Sequence, residues 1–248
     1  MSSEDLPFQY DAGRRSNYAA RGQEIEVENI NAYICYPSQK TKNAVIVVHD
    51  IYGWQFPDTR FVADIITDNG YITITPDFFL GKAPWTTANH WQNFGPWLKE
   101  REPTKVDKTA EVIMKYLRKQ CNAEKIGIVG FSWGGMAVHH LMLKNPDFIA
   151  GVSLCGIIRN SKDRYDLLNP TFFIFGGKDH TISPEQVTLL EENLKKYCKV
   201  DYKVKVYPGQ VHGFAQYKPE DIIRPENAPY IEEARMDMIN WLNKYITF

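Results

Sequence analysis

The chain predicts an α/β fold, with a mostly parallel central sheet and helices on both faces. Three observations carry that prediction. Apolar runs alternate with segments of helical spacing along the chain, the pattern of repeated strand–helix units joined by right-handed crossovers. Residues 44–48 and 126–129 are apolar almost throughout rather than alternating, as strands covered on both faces must be. The 248 residues, 44% hydrophobic and 24% charged, suffice for one full core and show no linker, repeat or break in composition. A single domain over residues 1–248 is expected.

Residues 31–37 read as an edge strand closed by Pro37, which cannot donate to a ladder. Residues 44–49 form the first core strand. From Pro57 to Asn69, Phe61, Val62, Ile65 and Ile66 recur at helical spacing, and Gly70 stops the helix. Residues 71–77 are the next strand. The segment holding Trp85, His90, Trp91, Phe94 and Trp97 reads as loop, and 104–121 as a helix with Val106, Ala110, Ile113, Met114 and Leu117 on one stripe. A strand at 125–129 and a helix ending before Pro146 follow. Further strands fall at 150–155, 171–175 and 202–207. A helix over 184–198 is entered by Ser183 as N-cap with Pro184 at its first position. The last helix carries Ile231, Ala234, Met238, Trp241, Leu242 and Tyr245 on one face and is expected to pack on the sheet.

Gly130-Phe131-Ser132-Trp133-Gly134 joins the 125–129 strand to its helix. A G-x-S-x-G at such a junction is a sharp turn that lifts the serine above the sheet edge and aims a helix N-terminus at its surroundings. The glycines are needed because a Cβ would collide with the turn or the neighbouring strand. Alone the motif recurs by chance. Here Asp179 and His212 follow, each just past a strand. The order Ser132, Asp179, His212 is that of the α/β-hydrolase fold and not of the chymotrypsin or subtilisin families. A serine hydroxyl needs an imidazole to take its proton and a carboxylate to fix that imidazole. Each residue taken singly is more often a plain turn residue. Together their type, order and strand-end position make them candidate catalytic residues.

The backbone N–H groups of Ile51 and Trp133 are the candidate oxyanion hole. Trp54, Trp85, Trp91 and Phe214 are candidate walls of an apolar substrate pocket, the plainer reading being rings that seal one end of the core. His139 and His140 are adjacent on a helix, point to different faces and cannot hold one ion together. His180 reads as a turn histidine. Neither a metal nor a cofactor is expected.

Formal net charge is −1 with no basic cluster, so neither nucleic acid nor an anionic membrane is indicated as a partner. Residues 1–7 are acidic without an apolar core, unlike a signal peptide, and no apolar run approaches the roughly 18 residues of a spanning helix. Cys35, Cys121, Cys155 and Cys198 are scattered without a C-x-x-C pair and read as reduced structural thiols, Cys155 as a small hydrophobe in a strand. A cytosolic monomer acting on a small molecule is expected.

Val48-His49-Asp50-Ile51-Tyr52-Gly53-Trp54, Pro76-Asp77-Phe78-Phe79, the Gly130–Gly135 stretch and His212-Gly213-Phe214 resemble the dienelactone hydrolase family. The likeness runs from Tyr10-Asp11-Ala12-Gly13 to Trp241-Leu242-Asn243-Lys244-Tyr245. It implies a cytosolic, cofactor-free, single-domain hydrolase of lactones and esters working through a nucleophile–His–Asp triad. It also implies a carboxylate after the first core strand, and Asp50 occupies that place as site support. Two departures matter. The family's nucleophile is normally cysteine, whereas Ser132 stands here. In a site shaped for sulfur the smaller oxygen is expected to sit too far from His212, so that Ser132→Cys would be faster. The same departure admits an alternative, a non-catalytic or silenced member that binds a small molecule. Secondly, bacterial members hold the dienelactone carboxylate with two arginines, and the matching positions are Gly81 and Gln216. Neutral cyclic esters are therefore expected over anionic ones, with Lys82 or Arg60 the candidates for any replacement charge.

Overall fold

The computed structural model describes residues 18–86, 89, 91–159, 164–222 and 224–247, without the side chains of residues 91, 103, 104 and 220. The readings at residues 1–7 and 10–13, at His90 and at the Trp91 side chain lie outside the described residues. The strands are β1 (Gln23–Val27), β2 (Ile30–Cys35), β3 (Asn43–Val48), β4 (Ile72–Pro76), β5 (Lys125–Phe131), β6 (Phe148–Leu154), β7 (Thr171–Gly176) and β8 (Tyr202–Tyr207). The helices between and after them are α1 (Pro57–Asp68), α2 (Phe94–Glu100), α3 (Asp107–Gln120), α4 (Trp133–Lys144), α5 (Pro184–Tyr197) and α6 (Ala228–Ile246).

All of these strands join one sheet in the order β1-β2-β4-β3-β5-β6-β7-β8. From β4 to β8 every pairing is parallel, while β2 runs antiparallel to both β1 and β4. This is the α/β-hydrolase architecture. The chain leaves β3 towards one edge, into β4, and later returns to its other side as β5. The crevice between the ends of β3 and β5 is thus a topological switch point, where open α/β sheets place their ligands.

Both faces of the central strands are covered, which is why β3 and β5 carry so few polar side chains. A Cβ on Gly127 would meet Ile246 and Leu242 of α6, and one on Gly130 would meet Val138 of α4. These β5 positions have opposite parity, so α6 and α4 sandwich the same strand from opposite faces. Ser183 caps α5 through a capping box with Gln186, with Pro184 at the first position.

Three elements correct the sequence reading. Residues 30–35 are not an edge strand, because β1 pairs along their outer side; Pro37 lies beyond the end of β2 and merely stops it. The segment read as an aromatic loop contains α2, whose Gly95 and Pro96 mask its helical pattern. Likewise, the helix read over 104–121 opens as a 3-10 turn, Pro103–Val106, before α3 begins.

Candidate active site

Ser132 lies between β5 and α4 at φ 54° and ψ −111°, a strained conformation for a residue with a Cβ. Its surroundings hold it there. The Ser132 N–H donates to Leu154 O at 2.9 Å, and the Ile157 N–H donates to Ser132 O at 3.3 Å. A Cβ on Gly130 would lie 2.2 Å from Gly134 O, and one on Gly134 would lie 2.2 Å from Val48 O. Only glycine permits the turn to fold back on itself and α4 to press against β3.

Asp179 occupies the turn after β7. Its Oδ1 accepts from the N–H groups of Thr181 (2.8 Å) and Ile182 (3.1 Å), which fixes the carboxylate plane. His212, from the loop after β8, donates Nδ1–H to Asp179 Oδ2 at 2.7 Å. That tautomer leaves the Nε2 lone pair to accept from the Ser132 hydroxyl at 2.8 Å. The Asp179 side chain is 1% exposed and that of His212 11%, so the imidazole is the part of the pair that meets solvent. The gap expected between a serine oxygen and His212 is absent. Ser132 Oγ already stands at full hydrogen-bond distance from His212 Nε2.

Ile51 and Trp133 flank the switch point. Among the described residues their N–H groups donate to no protein acceptor. The Asp50–Ile51 peptide is held from its other side. His49 donates Nδ1–H to Asp50 O at 2.8 Å, and Gly53 N–H reaches the same oxygen at 3.2 Å. A trans peptide points its C=O and N–H in opposite directions, so anchoring the carbonyl turns the Ile51 N–H the other way. His49 Nε2 in turn accepts from the Phe78 N–H at 3.1 Å, tying this loop to the one after β4. Burial holds His49 neutral, its pKa pushed down to about 4.

Asp50 is also buried. Its carboxylate accepts from Tyr52 N–H at 2.8 Å and from Gln216 Nε2 at 3.3 Å, and burial pushes its pKa up to about 7. Gln216 therefore serves Asp50. Gly81 is exposed, its N–H given to Asp77 at 2.7 Å. The two candidate replacement charges differ in their surroundings. Arg60 is engaged by Glu24 (2.5 Å) and lies over the Tyr33 and Trp54 rings. Lys82 is exposed on the rim of a cavity of about 230 Å³ that Tyr52, Trp54 and Phe79 help to line.

Of the expected pocket walls, Trp54 faces this cavity. Trp85 and Phe214 do not act as walls. Trp85 is 2% exposed, its ring packed on Phe94 and Trp97, and its backbone N–H donates to Ile51 O at 2.8 Å. Phe214 is fully buried beside Tyr207. Both stabilise loops at the site by burying rings beneath them. A larger cavity of about 810 Å³ lies where β2 and α1 end, at the sheet edge opposite Ser132, and is unrelated to the triad residues.

His139 and His140 diverge as expected, towards Arg164 O and Asp107 respectively, and His180 is exposed. Sequence reasoning missed His49 as a loop anchor and placed Cys155 inside a strand. Cys155 in fact follows β6 at φ 48°, with its sulfur near Asp179 and His212. Its one sequence signal is shared with Ser132: a position one residue past a buried strand.

The model of the dienelactone hydrolase family matches residues 30–246. The chain belongs to the dienelactone hydrolase family. It is 55% identical to a carboxymethylenebutenolidase homologue of Xenopus tropicalis and 50% identical to that of Homo sapiens, each match covering 99% of this chain and all of the relative. Among solved structures, a putative dienelactone hydrolase from Klebsiella pneumoniae superposes with a TM-score of 0.76 at 22% identity, covering 90% of this chain and 98% of the other. That likeness bears on the fold. Membership places the chain among hydrolases of this family, and no helix among its described residues is long and apolar enough to cross a membrane.

Proposed function

We propose that this dienelactone hydrolase family member hydrolyses neutral carboxylic esters and lactones in the cytosol through an acyl-enzyme on Ser132. The observation that carries the reading is the unbroken chain of hydrogen bonds from Asp179 through His212 to Ser132, both links under 3 Å. His212 Nε2 takes the hydroxyl proton as Ser132 Oγ attacks the carbonyl carbon, and Asp179 stabilises the imidazolium that forms. The Ile51 and Trp133 amides donate to the oxyanion, His49 keeping the first of them aimed. Collapse of the tetrahedral intermediate expels the alcohol, which takes the proton from His212. Water activated by the same imidazole then releases the acid. A silenced binding protein would not need Ser132 at hydrogen-bond distance from a hydrogen-bonded His–Asp pair.

Gln216, committed to Asp50, and Gly81, without a side chain, supply no cation at the two positions that match the arginines of bacterial members. Neutral lactones are therefore the preferred class. Steady-state hydrolysis of p-nitrophenyl acetate, a neutral γ-lactone and dienelactone by the purified protein tests both points. Ser132→Ala is expected to lower turnover by at least about 1,000-fold, since amides alone retain only residual catalysis. Unchanged turnover in that variant overturns the nucleophile, and a higher kcat/KM for dienelactone than for the neutral lactone overturns the preference.

A further inference from the structure

Cys155 is a buried thiol that the hydrolytic steps do not use. Its left-handed backbone is pinned by donation of its N–H to Ile174 O at 2.7 Å. The residue is 1% exposed, lies against Asp179, and has the Gly176 and Gly213 amides turned towards its sulfur. Cys155 Sγ, a carboxylate oxygen of Asp179 and a ring nitrogen of His212 all lie within 4.8 Å of one another.

We propose that Cys155, Asp179 and His212 form an inhibitory binding site for a thiophilic divalent cation of the Zn²⁺ type. Thiolate, carboxylate and imidazole are the donors such an ion prefers, at about 2.0–2.3 Å, which in a tetrahedral site sets donor atoms about 3.3–3.7 Å apart. Movements of about an ångström close the present cluster to that size. One thiolate and one carboxylate cancel the dication, leaving a neutral buried group. Three protein donors leave a fourth position for water. Mg²⁺ and Ca²⁺ prefer oxygen shells and are disfavoured. The surroundings are arranged as an outer shell: Thr181 and Ile182 hold one oxygen of Asp179. Although burial and the Asp179 charge keep the free thiol protonated, the Gly213 and Gly176 amides turned towards the sulfur partly offset this, and a bound dication supplies the charge that a thiolate there needs.

The protons balance simply. The cation forms a bond to sulfur and the Cys155 proton leaves to solvent, with no change in oxidation state. When Nδ1, the nitrogen on the Asp179 side, is the ligand, its proton moves to Nε2. Nε2–H then faces Ser132 and has no lone pair left for the serine proton. Loss of turnover rests on the hydrolase reading, whereas ion binding does not.

Titration of the substrate-free protein with Cd²⁺ tests binding by itself. The expected result is a thiolate-to-Cd²⁺ charge-transfer band at one ion per chain, displaced by Zn²⁺, unaffected by Mg²⁺ and absent from Cys155→Ala. Ester turnover should fall with Zn²⁺ and recover with EDTA. In Cys155→Ala the half-inhibiting concentration should rise by about 100-fold, each protein being compared with its own metal-free rate. Cys155→Ser serves as a second variant, with circular dichroism reporting that either is folded. A band that persists in folded Cys155→Ala, or equal Zn²⁺ sensitivity in the two proteins, overturns the site. A Cys155-dependent band in a protein with no turnover upholds the site and refutes the hydrolase reading.

Discussion

A 2.8 Å separation between a hydroxyl and an imidazole nitrogen is an ordinary strong hydrogen bond, and Ser132 reaches it within a backbone already at φ 54°. Sulfur is larger than oxygen and sits on a longer bond, so a thiol at residue 132 would crowd His212 instead of closing a gap. Displacing the imidazole weakens its 2.7 Å bond to Asp179. Ser132→Cys is therefore expected to hydrolyse esters about tenfold more slowly than the serine form, while becoming sensitive to iodoacetamide. Side-by-side steady-state rates check this, and a faster cysteine variant would contradict it. The three side chains of this chain of bonds were legible in the sequence because each follows a recognisable strand, apolar throughout before Ser132 and Asp179 and alternating before His212, and strand ends of a parallel sheet share one edge. Cys155 and His49 were not. Their partners, Asp179 and Phe78, lie 24 and 29 residues away in sequence and become neighbours only through the strand order.

At the level of elements, the site depends on how closely α4 approaches β3. Gly134, in the first turn of α4, has room for no Cβ, which would stand 2.2 Å from Val48 O and 2.6 Å from His49 O. Both obstacles are backbone and cannot rotate away. Gly134→Ala must push the helix off the strand, taking the Trp133 N–H with it, and is expected to cost about 2–4 kcal/mol together with most of the activity. Gly95 in α2 offers the contrast, with nothing within 4 Å of an added Cβ and no positive φ. Gly95→Ala should stabilise by up to about 1 kcal/mol through the unfolded chain alone. Denaturant unfolding of the two variants measures the pair, and equal losses would mean that the approach of α4 is not tight. The strands β3, β5, β6 and β7 were readable for the same reason that they pack: both faces are covered, so their sequences carry little polar alternation. β1 was invisible because its Gln-Glu-Ile-Glu-Val run is mostly exposed and its strand state comes from pairing with β2.

For the whole molecule, the switch point concentrates two buried titratable groups, His49 and Asp50, side by side at the end of β3. Burial moves them in opposite directions, His49 from 6.5 down to about 4 and Asp50 from 3.8 up to about 7. The depressed histidine contributes stability that is present above pH 6.5 and lost as pH falls towards 4. The raised carboxyl contributes stability that is present below pH 3.8 and lost as pH rises through 7. Between about pH 4 and 6.5 the unfolded chain binds one proton on His49 that the folded chain lacks, and the folded chain holds one on Asp50 that the unfolded chain has released. The two slopes cancel. Removing either group exposes the other. Asp50→Asn should become more stable relative to the parent as pH rises across this window, by about 1.4 kcal/mol per unit. His49→Gln, whose amide can still donate to Asp50 O and accept from the Phe78 N–H, should become less stable relative to the parent by a similar amount per unit. Urea unfolding of the three proteins at pH 4.5 and pH 6 reads the difference directly, because other titrating groups drop out of the comparison. Slopes of the same sign in both variants would show that the two residues are not the opposed pair that their burial makes them.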